Sequence, residues 1–161
     1  MILFIHAAER ENAFLMLVWE HKEFLKNKAT QQSKELLAFL TFDDYIVFEK
    51  RITYRGKKAP DILAAIDALL CTFDSKPEDL AGVCVLSGPG QFSFLRTGII
   101  VANTFGWALD IPVVGISGGT ISSEKDFVIK GMKRLARKKR FVAVMPEYGK
   151  EPNITVAKRK I

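Results

Sequence analysis

Apolar residues fall along this chain in short blocks, and the spacing inside each block assigns its element. Ile2 to Ala8 and Ala13 to Trp19 are nearly continuous apolar runs split by Glu9, Arg10 and Glu11. That pattern predicts two strands covered on both faces and joined as a hairpin. Lys26 to Leu40 starts polar and turns amphipathic, predicting a helix or an insertion that Asp43 and Asp44 break as a solvated turn. Tyr45 to Tyr54 sets Ile46, Phe48 and Ile52 against Glu49, Lys50 and Arg51. A third strand follows from this, antiparallel and toward an edge.

Beyond the turn at Arg55 to Lys58 the period lengthens. Pro60 suits the first turn of a helix, and Ile62, Leu63, Ile66, Leu69, Leu70 and Phe73 recur at helical spacing. Leu80 to Leu86 reads as a buried parallel strand, Phe92 to Leu109 as a long helix whose only charge is Arg96, and Ile111 to Ile116 as another buried strand. Ser122 or Ser123 can cap a helix reaching about Lys139, and Phe141 to Met145 is a last apolar strand before an exposed tail. The order strand, strand, strand, helix, strand, helix, strand, helix, strand predicts an α/β fold. Its mixed sheet runs from an antiparallel hairpin into parallel strands, which is how the actin-like, RNase H-like half-domain begins.

The two central helices carry more apolar circumference than a sheet covers on one side. In the second, Gly98, Ala102 and Gly106 fall four apart and leave a stripe almost without side chain, open to close approach by another helix. A membrane span is an unsuitable explanation, because Arg96, Asn103 and Thr104 lie inside the run. A second polypeptide covering the helices is the expectation.

The loop between strand and helix, Ser87 to Arg96 (SGPGQFSFLR), could cradle a phosphate at a helix N-terminus. It lacks the Lys and Ser/Thr of a Walker loop, and Phe94 or Leu95 stands where a dinucleotide fingerprint needs its third glycine. A sharp strand-to-helix bend at Gly88 and Gly90 is the other reading.

Composition adds two points. The chain has 161 residues, 48% apolar, the size of one globular domain, and its formal charge of +6 is concentrated in Lys130 to Arg140, where seven basic side chains stand without an acid. That run is either a solvated helix face or a polyanion contact. His6 and His21 lack the spacing of a helical metal pair, Cys71 and Cys84 read as buried free thiols, and no nucleophile, base and acid stand in a recognisable order. No metal or cofactor is expected. The N-terminus has no basic n-region and meets charges at once, so a cytoplasmic location is expected.

The stretch SGPGQFSFLRTGIIVANTFGWALDIPVVGIS resembles the central block of the TsaB/YeaZ family, the non-catalytic partner of the TsaD-type enzyme that makes threonylcarbamoyladenosine in tRNA. The resemblance is carried by Gly88, Pro89, Gly90, Phe92, Leu95, Arg96, Gly98, Ala102 and Ile111 to Gly115. Gln91, Ser93 and Phe94 replace the family's Ser, Thr and Gly, and His6, Ala7 and Ala8 stand where its ATP-using relatives carry an Asp-Thr-Ser turn. The resemblance implies an N-lobe over residues 1–119 and a reduced second lobe over 120–161. It implies docking to a TsaD-like subunit, or to a second copy, through Ile62, Leu63, Ile66, Leu69, Leu70, Leu95, Gly98, Ile99, Ala102, Phe105 and Gly106. The motif loop Gly88, Pro89, Gly90, Gln91, Phe92 and Arg96 would be the turn at the base of that interface. A TsaE-like ATPase is a further partner so implied, and Lys130, Lys133, Arg134, Arg137, Lys138, Lys139 and Arg140 are the side chains that could touch tRNA. The alternative is a degenerate actin-fold phosphotransferase gripping a nucleotide with the GPGQ loop.

Overall fold

The structure is a computed structural model, and it describes residues 1–7, 13–24, 38–42, 44–52 and 61–149. Strands β1 (Ile2–His6) and β2 (Phe14–Glu20) pair antiparallel, Leu3 opposite Leu17, and β2 pairs in turn with β4 (Tyr45–Arg51). On its other side β1 runs parallel to β5 (Gly82–Gly88), and β5 parallel to β6 (Val113–Ser117). With β3 (Ala38–Phe42) on β4, the six-stranded order is β3-β4-β2-β1-β5-β6. The hairpin and the parallel extension are therefore as the apolar blocks predict.

Three boundaries differ. Ala38 to Leu40, within the segment expected as helix or insertion, belong to strand β3, which displaces β4 from the sheet edge because it supplies the ladder partners β4 would otherwise lack. The rest of that segment, Pro60, Asp43 and the stretch beyond Ile52 lie outside the described residues. The last helix stops at Leu135 rather than near Lys139. Phe141 to Met145 is not a strand, and at Val144 the backbone is satisfied by a side chain instead of a ladder: Asn103 donates to the Val144 carbonyl (3.0 Å) and accepts from the Val144 N–H (2.9 Å).

Two helices cover one face. α2 (Ile62–Cys71) is capped by the Asp61 carboxylate, which accepts from the Ala64 N–H at 3.1 Å, and α3 (Phe92–Leu109) ends on Asp110 in the left-handed conformation. Behind α2, Trp19, Phe48 and Phe73 form an aromatic cluster with centroids 4.5 to 5.6 Å apart. A one-turn helix α1 (His21–Phe24) adds Phe24 to it. α4 (Glu124–Leu135) lies on the opposite face, where Phe127 meets the edge of Phe4 at 5.3 Å and Gly131 lets the helix backbone sit directly on Phe4 and Cys84. Alternation along β1 sends Ile5 toward α3 and Phe4 toward α4, so this strand is buried on both sides.

Candidate partner-binding face and glycine loop

The residues expected to meet a partner divide by direction. Ile62, Ile66, Leu69, Leu70, Leu95, Ile99 and Ala102 are buried, and so are Gly98 and Gly106. Their side chains pack within the chain and are not available to another protein, which corrects the expected interface. The small-residue stripe is explained the same way: a Cβ on Gly98 would stand 3.0 Å from Ala7 and 3.5 Å from Ile5, and one on Gly106 would collide with Val113 and Phe141. It lets α3 lie close on its own sheet, not on a second helix. Phe105 is half-buried and Leu63 is exposed.

Of what faces outward, the sequence singled out Leu63 but not Ile100 or Trp107. On α3, Ile100 (54% exposed) and Trp107 (75%) lie seven residues apart on one line, with Thr104 between them; on α2, Leu63 (55%) is flanked by exposed Ala64 and Ala68. The only charged side chains on either helix are Asp67 and Arg96. A helix face turned to water ordinarily carries charges, and a largely uncharged face bearing an open tryptophan costs solubility unless something covers it. Counting the phase of Ile100 and Trp107 against Gly98 and Ala102 would have found this face, since the two sets lie on opposite sides of one helix.

The glycine loop is a bend with its inner side filled. Gly88 has φ +130°, a conformation that side chains avoid, and a Cβ there would collide with the Glu147 carbonyl oxygen. The segment Phe141–Gly149 runs back along α3 to reach it. Val144 is held by Asn103, the Glu147 N–H donates to the Ser87 carbonyl (2.6 Å), and Tyr148 stacks on Phe92 at 4.9 Å. Ser87 Oγ donates to the Glu147 carboxylate at 2.8 Å, and hydroxyl bonds from Ser117 and Ser87 hold that carboxyl below its usual range. Neither Asn103 nor Glu147 could be anticipated, because each acts across some forty to sixty residues of sequence. A carboxylate beside the loop repels phosphate, so this geometry disfavours the nucleotide grip. Arg96 lies over the ring of Phe92, 5.8 Å from its centroid, and Gln91 precedes the helix without capping it by its side chain.

On the α4 face a cavity of about 300 Å³ is lined by His6, Phe14, Arg51, Ser122, Ser123 and Phe127 among others. His6 stacks on Phe14 at 4.4 Å, a packed position, and the cavity wall carries the ion pairs Arg51–Glu49 (2.8 Å) and Arg51–Glu124 (3.2 Å). Burial pushes the Glu49 carboxyl up, and Glu124 adds to this against the opposing pull of Arg51. An acid with a raised folded pKa prefers its proton in the native state, so it detracts from stability increasingly as pH rises from its unfolded value of about 4.3 through the folded one. Glu49→Gln should therefore gain on the parent in thermal melts between mildly acidic and mildly alkaline buffer; parallel melting curves across that range would contradict this.

Among the described residues no group of His, Cys, Asp and Glu could hold a metal ion, and no helix is long and apolar enough to cross a membrane. Cys84 is buried, and burial pushes its thiol well up; Cys71 is exposed, against expectation, because it ends the outward side of α2.

The family model for TsaD, tRNA N6-adenosine threonylcarbamoyltransferase, matches residues 58–128. The tRNA threonylcarbamoyladenosine biosynthesis protein TsaB of Bacillus subtilis (strain 168) is 32% identical over 90 residues, 55% of this chain and 39% of that protein. An uncharacterized protein of Mycobacterium tuberculosis (strain H37Rv) is 36% identical over 78 residues, 45% of this chain and 35% of its own. The solved structure of YeaZ from Pseudomonas aeruginosa is similar at 18% identity and TM-score 0.46, covering 72% of this chain and 43% of that one. An antiparallel hairpin leading into parallel strands, helices on both faces and a matched central block make this a chain of the actin-like, RNase H-like class. Within that class its matched stretch is similar to TsaB, the protein that shares 32% identity with it over 90 residues. It spans about two fifths of the length of the curated relatives it matches.

Proposed function

We propose that the chain serves tRNA threonylcarbamoyladenosine formation as a non-catalytic subunit that docks and activates a TsaD-like enzyme. The observation that carries this is the outward face of α2 and α3, where Leu63, Ile100 and Trp107 stand open on two helices with one charge each. The interface so proposed keeps Leu63 from the residues named by sequence alone but uses the opposite side of α3. A four-helix contact built on such faces buries aromatic and aliphatic anchors at its centre, as stable interfaces do. In the absence of the enzyme the same surface brings two copies together. The motif loop Gly88 to Phe92 then sets the start and direction of α3, and α4 closes the same compact unit instead of founding a second lobe. Chemistry belongs to the partner, and a TsaE-like ATPase would complete the assembly in the cytoplasm. Reconstitution tests the role: a TsaD-like enzyme mixed with unmodified tRNA and its threonylcarbamoyl donor should form the modified base only when this chain is added. Equal product without the chain would refute it.

A further inference from the structure

The C-terminal end of α4 carries a feature the docking role leaves unused. Lys130 is engaged by Asp126 at 2.8 Å and by the Thr120 carbonyl. Past it, Lys133, Arg134, Arg137, Lys138, Lys139 and Arg140 are all exposed, and no acidic side chain follows in the sequence until Glu147. Among the described residues none of these six is in an ion pair shown by the structure. They do not simply fan into solvent: Arg134, Arg137 and Lys138 converge on a cavity of about 280 Å³ whose floor is Val113–Gly115 of β6 and whose far wall is Val142–Val144. β6 ends the sheet, and Arg134 Nη1 donates to the Gly115 carbonyl on that strand.

We infer that this basic groove holds the phosphate backbone of an RNA strand. Two arginines three residues apart offer planar donor forks that match phosphate oxygens; Val142–Val144 add no charge, and the Glu147 carboxylate, which acts on Arg134, is a charge the phosphate must compete with there. A recessed cleft suits a polynucleotide backbone better than a flat membrane surface, which would leave its floor empty. The absence of an aromatic side chain among the groove's lining residues makes the contact one with backbone and not with bases. That the RNA is tRNA rests on the function proposed above. The groove and the outward faces of α2 and α3 involve separate residues, so one chain can hold both partners.

The test is binding of an unmodified tRNA transcript to the full chain, followed by fluorescence anisotropy from about 50 to about 200 mM salt. For the parent, affinity should fall steeply with salt, by about 0.7 to 0.9 log units per log unit for each phosphate contacted. Arg137→Glu with Lys138→Glu should weaken binding at least about tenfold at low salt and flatten that slope by about 2. If the reversal fails to fold, Arg137→Gln with Lys138→Gln should show the same trend at smaller size. Trp107→Asp, which addresses the enzyme-docking face, should bind tRNA as the parent does, so failure of docking and failure of the groove are read separately. No binding by the parent, or binding indifferent to both double variants, overturns the inference. So does binding to phosphatidylglycerol vesicles through Arg137 and Lys138 without binding to tRNA.

Discussion

Trp107→Asp should leave the chain folded and weaken the proposed complex with a TsaD-like enzyme by roughly thirty-fold or more in Kd. The fold is spared because the indole is 75% exposed and supports nothing beneath it. The complex suffers because a central tryptophan of an interface is commonly worth about 2 kcal/mol or more, and a buried unpaired carboxylate adds desolvation cost. Ile100→Asp, two turns away on the same line, should act in the same direction, and the two together by less than the sum of their separate effects, since neighbouring hot spots are not additive. Ile99→Asp makes the contrast. Ile99 is buried against the chain's own sheet, so its replacement should unfold the protein instead of dissociating a folded one. Calorimetric titration beside far-ultraviolet circular dichroism separates the two outcomes. Unchanged affinity in Trp107→Asp would place the interface elsewhere.

Gly131→Val should be among the most damaging single substitutions in the chain. A Cβ at that position would stand 2.7 Å from the Cys84 sulfur and 2.8 Å from Cζ of Phe4, with another ring atom nearer still. Phe4 is fully buried and is itself wedged against Phe127, so the contact cannot be relieved by a swing into open space. Overpacking of this kind costs on the order of 3 kcal/mol, which lowers Tm by about 10 °C in a domain of this size. Gly119→Ala is the control, because a Cβ there meets nothing within 4 Å. Equal melting temperatures for the two variants would mean that α4 does not sit on β1 and β5 as described.

Periodicity is why the elements were readable and direction was not. β1, β2, α3 and β6 fall within a few residues of their expected limits, because long apolar runs bounded by charges or glycine leave few alternatives. β3 was missed because the sequence around Ala38 mixes helical and strand character, and the pairing with β4 that decides it is not local. α4 stops early because Ala136 takes the C-cap with Lys138 to Arg140 beyond it, and a sequence of good helix formers gives no stop signal. The burial of Gly98, Ala102 and Gly106 against the chain's own sheet was not legible for a related reason. Gly98, Ala102 and Gly106 form a stripe that suits any close neighbour, and composition alone cannot tell a second helix from a sheet. Asn103 and Glu147 acquire their roles only when the segment after α4 returns along α3.

The most direct measurement is side-chain footprinting by hydroxyl radicals on the chain alone and with a saturating TsaD-like enzyme. If the outward faces of α2 and α3 form the docking surface, Leu63, Ile100 and Trp107 should react readily in the free chain and become protected in the complex, while exposed Met145 keeps its reactivity. Unaltered oxidation of Trp107 and Ile100 in a complex known to have formed would contradict that surface.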